Sequence, residues 1–197
     1  MAGAAKPDQA GHRRRLKERF LKAGPDGFAD YELLELLLFL GIPRQDVRGL
    51  AKRLIQRFGG FGAVISASPA SLSEVKGVGE GAIAALKTAQ AAAVRLLRER
   101  IEGKSLLGSW QQVIDYLRAD MAYRDEEHLR VLYLNTKNVL IADEVQQRGT
   151  VNHAPVYPRE VAKRALALNA SAVILVHNHP SGDPSPSRAD VEMTREV

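Results

Sequence analysis

One stretch near the end of the chain limits what it can fold into more than any other. Residues 171–176 form a short, apolar, β-branched run that leads directly into His177, Asn178, His179 and Pro180. Such a run reads as a buried strand. Residues two apart on a strand face the same side, so the two imidazoles can converge on one ion. Pro180 has no N–H to give to a sheet ladder and ends the strand. Gly182, Pro184 and Pro186 then form a loop, and Ser187-Arg188-Ala189-Asp190 opens a helix with Asp190 in its first turn, aimed back at the strand end.

Two imidazoles and a carboxylate make three donors. Structural zinc sites close with four protein ligands, whereas hydrolytic sites keep one position for water. The chain has no cysteine, so no thiolate can supply a fourth bond. A set of nitrogen and oxygen donors suits zinc best, with other divalent transition metals also open. Each residue has a plainer reading as well. A lone His-x-His pair can be a surface feature, Ser187 can be an ordinary helix N-cap, and Asp190 can complement the helix dipole. The ordered succession of apolar strand, histidine pair, loop and helix favours the metal.

The pattern His-x-His-Pro, six residues, Ser, two residues, Asp resembles that of the JAMM (JAB/MPN) metalloproteases at every defined position. Leu134-Asn135-Thr136-Lys137-Asn138, Arg148-Gly149-Thr150-Val151-Asn152, Pro158-Arg159-Glu160-Val161 and the words around His177 narrow this to a resemblance to the bacterial RadC family, from about Arg13 to the end. The resemblance implies an α+β JAB/MPN-like (cytidine-deaminase-like) domain. It also implies that His177, His179 and Asp190 hold Zn2+, that Ser187 helps hold a tetrahedral intermediate, and that an upstream glutamate handles protons. Glu127, directly before the apolar run 129–134, is the best match. Glu126 is its neighbour, and Glu144 and Glu160 are weaker alternatives.

A metal lowers the pKa of a bound water toward ~7 and polarises a carbonyl, and a nearby carboxylate can serve as base and then acid. The residues alone support metal-assisted hydrolysis. The peptide or isopeptide substrate comes from the resemblance. A nuclease is disfavoured, because two-metal sites need more carboxylates than this chain gathers here.

Charge divides the chain in two. Residues 1–104 carry 18 Lys and Arg against 11 Asp and Glu, a net of +7, and residues 105–197 carry 10 against 12, a net of −2. The first part reads as helical: basic over 12–21, apolar over 30–40 up to Gly41, amphipathic over 46–58, and Ala-rich from Gly81 to about Arg100. Leu72, Val75, Gly77, Val78, Gly79 and Ala82 have helix-hairpin-helix spacing. Lys76, Gly77, Gly79 and Lys87 are its candidate contacts to duplex DNA, through backbone N–H groups and charge. The same turn can equally be a packing hairpin inside a helical bundle, and the basic 12–21 segment a solvated face.

The expected organisation is therefore a helical domain over 1–101, a linker over 102–108, and the metal-binding domain over 109–197. Ser109 is the expected cap of a helix anchored in the core by Trp110, Val113, Ile114 and Leu117. Strands at 129–134 and 139–142, a helix at 158–168, the strand before His177 and a last helix complete the pattern. RadC proteins continue past the Asp, so the domain is expected to be C-terminally shortened, which places the support of the metal ligands in question. Without cysteines, a signal-like leader or a long apolar segment, the expected setting is cytoplasmic with no membrane contact. The functional alternative to a hydrolase is a DNA- or protein-binding module whose metal site is structural or idle.

Overall fold

Every residue of the strand His128–Leu134 (β1) is buried, because β1 is the middle strand of a three-stranded sheet covered on both faces. This is seen in a computed structural model that describes residues 7–148 and 157–197. The chain divides into two compact units between Ala92 and Ala93.

The first unit is helical. Its elements are α1 (Pro7–Ala23), α2 (Asp30–Gly41), α3 (Arg48–Phe58), α4 (Phe61–Ser66), α5 (Pro69–Ser73) and the start of α6 (Glu80–Glu99). The apolar run of α2 buries Leu34 and Leu38 against Leu50, Ala51 and Leu54 of α3, with Leu72, Ala82 and Leu86 in the same core. Charge enters this core in one place. Glu35 is buried, and one of its carboxylate oxygens meets Nε2 of the half-buried His12 at 2.8 Å. The basic segment of α1 is thus part of the packing: Arg13 donates to the carbonyls of Ile42 and Gln45 and lies over the Phe39 ring.

α2 and α6 meet at two glycines. A Cβ on Gly41 would collide with the Gly81 carbonyl, and one on Gly81 would stand 2.7 Å from the Gly41 oxygen. Overpacking of this kind costs about 1–3 kcal/mol. Gly41→Ala is therefore expected to lower the unfolding free energy by about that amount, read as a lower denaturant midpoint. An unchanged midpoint would mean that the two backbones are not in contact.

In the second unit β2 (Leu140–Arg148) and β3 (Ala172–His177) flank β1, both antiparallel to it. α7 (Trp110–Met121) covers one face, where Val113, Leu117 and Met121 pack on Leu132 and Leu134, together with Ile101 and Leu106. On the other face lies α8 (Pro158–Ala167), whose Val161 packs on Leu129, Val131 and Tyr133, with Met193 of α9 (Arg188–Glu196) against the same cluster. The result is a helical N-terminal region followed by a helix-plus-sheet domain with a small antiparallel sheet.

Several expectations need correcting. Within the 102–108 segment, Leu106 is fully buried in the second unit's core and Ser105 bridges to Val139. Ser109 caps nothing with its side chain; its hydroxyl donates to the Ser105 carbonyl at 2.9 Å, in a short 3-10 turn before α7. Trp110 is about half exposed rather than a core anchor, because α7 directs its 113 and 117 positions at the sheet. The second strand was expected to stop at Ala142 but continues to Arg148. Its two acids have partners: Asp143 accepts from Arg130 and Tyr116, and Glu144 accepts from Arg164. The motif of Arg148, Gly149, Thr150, Val151 and Asn152 falls, beyond Arg148, outside the described residues.

Candidate metal centre

β3 ends at His177, with the β1 residue Leu129 as its antiparallel partner. The central strand thus fixes where the first imidazole leaves the sheet. His179 lies beyond the strand, so strand alternation does not align the two rings as expected. A turn does. The Gly182 N–H donates to the His179 carbonyl at 2.9 Å, and the Asp183 carbonyl accepts from His179 Nδ1 at 2.6 Å. A carbonyl only accepts, so His179 carries its proton on Nδ1 and offers the Nε2 lone pair toward His177 and Asp190.

The three side chains meet. Asp190 Oδ2 is 3.3 Å from His177 Nε2 and 3.4 Å from His179 Nε2, and the two Nε2 atoms are 2.8 Å apart. The ligating atoms all fall within 4.8 Å of one another, the one such set of His and acidic groups among the described residues. Donors about 2.0–2.1 Å from a tetrahedral zinc stand about 3.3 Å apart, which matches both carboxylate distances. The two ring nitrogens are closer, at hydrogen-bond distance. The donor chemistry fits zinc, and a slight parting of the rings completes the tetrahedral edge.

Asp190 is aimed by the local rules of a helix start. Ser187 is the N-cap of α9: its hydroxyl accepts from the Asp190 N–H at 3.2 Å, and Asp190 Oδ2 accepts from the Ser187 N–H at 2.7 Å. This capping box is the device that presents the carboxylate, so the plain reading and the metal reading of these residues coincide. Burial pushes the Asp190 carboxyl upward, but hydrogen bonds from Ser187 and the nearby His177 outweigh it and hold the group below its ordinary value.

Glu127 lies exposed immediately before β1 and does not join the three donors at that spacing. Its backbone is nevertheless tethered beside them by Asn178, a residue the sequence reading passed over. Asn178 is buried between the two histidines; its Oδ1 accepts from the His128 N–H at 3.0 Å, and its Nδ2 donates to the Glu126 carbonyl at 3.0 Å. These bonds bracket Glu127. The only sequence signal for Asn178 was its place inside the His-x-His pair. The Glu126 carboxylate lies 3.9 Å from His128 Nε2, Glu144 is paired with Arg164, and Glu160 pairs at 3.5 Å with Arg159.

The candidate DNA contacts divide. Lys76, Gly77 and Gly79 are exposed on the turn between α5 and α6, where Gly77 takes φ +99° and Val75 and Val78 are buried beneath. Lys87 is engaged elsewhere: its ammonium donates to the carbonyls of Ile65, Ser66 and Ala67 at 3.2, 3.4 and 2.9 Å, at the C-terminus of α4.

A family model described as a RadC-like JAB domain matches residues 107–197, and one described as UPF0758 N-terminal matches residues 9–84. A UPF0758 protein of Rhodobacter capsulatus is 59% identical over 182 residues, covering 92% of this chain and 85% of that protein. The chain belongs to the RadC family. A UPF0758 protein of Ruegeria pomeroyi is 57% identical over 186 residues, covering 94% of this chain and 83% of its own length. The three donors therefore sit in the part of the chain that matches the RadC-like JAB domain.

Removing the Asn178 amide strands a buried N–H and a carbonyl, at a cost of about 1–3 kcal/mol. Asn178→Leu is expected to lower the stability of the second unit by that amount and to speed hydrogen exchange at the His128 amide. Asn178→Asp, which still accepts from that N–H, should exchange more slowly than the Leu variant. Equal His128 exchange in all three proteins would show that Asn178 does not hold the strand start.

Proposed function

We propose that this RadC-family chain is a zinc-dependent hydrolase of JAMM type that cleaves a peptide or isopeptide bond. The observation that carries the reading is the convergence of His177, His179 and Asp190 on one point with a tetrahedral edge between carboxylate and imidazoles. Three protein donors of this kind leave a coordination position for water, as hydrolytic zinc sites do. Zinc held there would supply a Lewis acid for the scissile carbonyl and a hydroxide-like nucleophile near neutral pH.

The chain's own side chains do the rest. The Asp183 carbonyl keeps the His179 lone pair on Nε2, and the capping box keeps Asp190 Oδ2 aimed at both rings. Glu127, bracketed by the two Asn178 bonds, takes the proton of the attacking water on its carboxylate and passes it to the leaving nitrogen. The Ser187 oxygen is used as an acceptor in the cap, so its O–H proton is left to donate to the carbonyl oxygen as charge develops. The first unit, read as a helix-hairpin-helix, presents Lys76, Gly77 and Gly79 to a DNA backbone.

One observation favours the second reading, a binding module with an idle metal: the exposure of Glu127 and its absence from the donor set. The two readings separate on purified protein. His177→Ala and Asp190→Ala are expected to lose bound zinc by elemental analysis. Glu127→Gln should keep zinc while amide hydrolysis falls by about 100-fold or more. Full zinc content in His177→Ala would remove the metal argument, and undiminished hydrolysis in Glu127→Gln would remove that residue's role.

A further inference from the structure

A groove of about 440 Å³ opens beside the histidines, between α7 and the end of β3. That volume lies within the roughly 300–1,000 Å³ of ligand clefts. Its walls are mainly apolar: Ile114, Leu117 and Met121 come from α7, and Val176 comes from β3. His177 and His179 belong to the same wall, so the groove is continuous with the donor set. Among the described residues it has a single Lys or Arg on its lining, Arg118, which is exposed. Among the described residues the other arginines of this unit's sheet layer are committed: Arg130 to Asp120 and Asp143, Arg124 to Asp120, and Arg164 to Glu144. Arg118 has no such carboxylate among the described residues. Among the described residues the only acid on the lining is Asp183, whose Oδ1 accepts from the Ser185 N–H at 2.9 Å.

We infer that this groove receives one side of the substrate chain, an extended peptide segment with an apolar side chain in the groove and a carboxylate paired with Arg118. The inference rests on the hydrolase reading for what happens next to the groove, but not for the binding itself. Arg suits this task because its planar fork engages a carboxylate bidentately. An apolar floor with one charged anchor is the common plan of a selective cleft. Both an acidic side chain and a free C-terminus offer that carboxylate. Arg118 is thus a specificity-determining residue, one α7 turn from both Ile114 and Ala122.

The test uses the zinc-loaded full chain and randomised peptide libraries, one with free and one with amidated C-termini, read by mass spectrometry for cleavage and as an array for retention. Cleaved and retained peptides should be enriched in Asp or Glu next to an apolar residue, or, if the carboxylate is terminal, only in the free library. Arg118→Glu should leave zinc content unchanged, raise KM for the best acidic peptide about tenfold or more with little change in kcat, and shift the preference to Lys or Arg. An acid preference that survives Arg118→Glu, or no acid preference at all, overturns the inference. Selection for phosphorylated over carboxylate peptides overturns it as well. Acid-selective retention that Arg118→Glu abolishes, with no peptide cut by the wild type, would sink the hydrolase reading and leave the groove assignment standing.

Discussion

Pairing between β1 and β3 sets everything around the metal donors. β1 is hydrogen-bonded on both sides and buried along its whole length, and Leu129 stands opposite His177. Slippage by one residue would turn each side chain of β3 to the other face of the sheet and carry His177 away from α9. The register is held by packing on two faces at once: Leu132, Leu134, Ile174 and Val176 toward α7, and Val131, Tyr133, Val173 and Leu175 toward α8. A buried charge cluster adds a further constraint on the same strand. Arg130 donates to the Tyr116 hydroxyl at 2.6 Å and pairs with Asp120 of α7 and Asp143 of β2. Burial first, and then Asp143, drive the Tyr116 hydroxyl far above its ordinary pKa, so it stays protonated and donates. Breaking one member would leave buried charge with fewer partners, which is costly.

From that fixed strand end, short-range chemistry completes the centre. One turn, closed by the Gly182 N–H and the Asp183 carbonyl, brings the second imidazole back toward the first. One capping box brings the carboxylate to meet them. Asn178 stitches the start of β1 to the histidine turn, tying the segment that holds Glu127 to the segment that holds the two imidazoles. Local interactions of about 1 kcal/mol each thereby position three donors whose usefulness depends on tenths of an ångström.

Much of this was legible in the residues because it is local. The apolar run up to His177 and the Ser187–Asp190 spacing each obey a short-range rule, and a strand and a capped helix appear there, although the strand is half-buried rather than buried and stops at His177, ahead of the proline expected to end it. The apolar α2 and the turn before α6 were readable for the same reason. What escaped depended on partners far away in sequence. Asp143 and Glu144 looked like the end of a strand until Arg130 and Arg164 were found beside them. Lys87 looked like a free cation until the carbonyls ending α4 were found around it. Trp110 looked like a core anchor, but helix phase gave the sheet to Val113 and Leu117. Asn178 is the clearest case, since its bonds reach back 50 and 52 residues.

Two imidazoles and one carboxylate of this chain are proposed to hold a single zinc ion. Zinc K-edge absorption spectroscopy on the purified wild-type chain tests it most directly. The account predicts a first shell of nitrogen and oxygen atoms alone at about 2.0–2.1 Å, with the outer-shell scattering of two imidazoles. A stoichiometric zinc with no imidazole scattering, or a chain that retains no zinc, would contradict it.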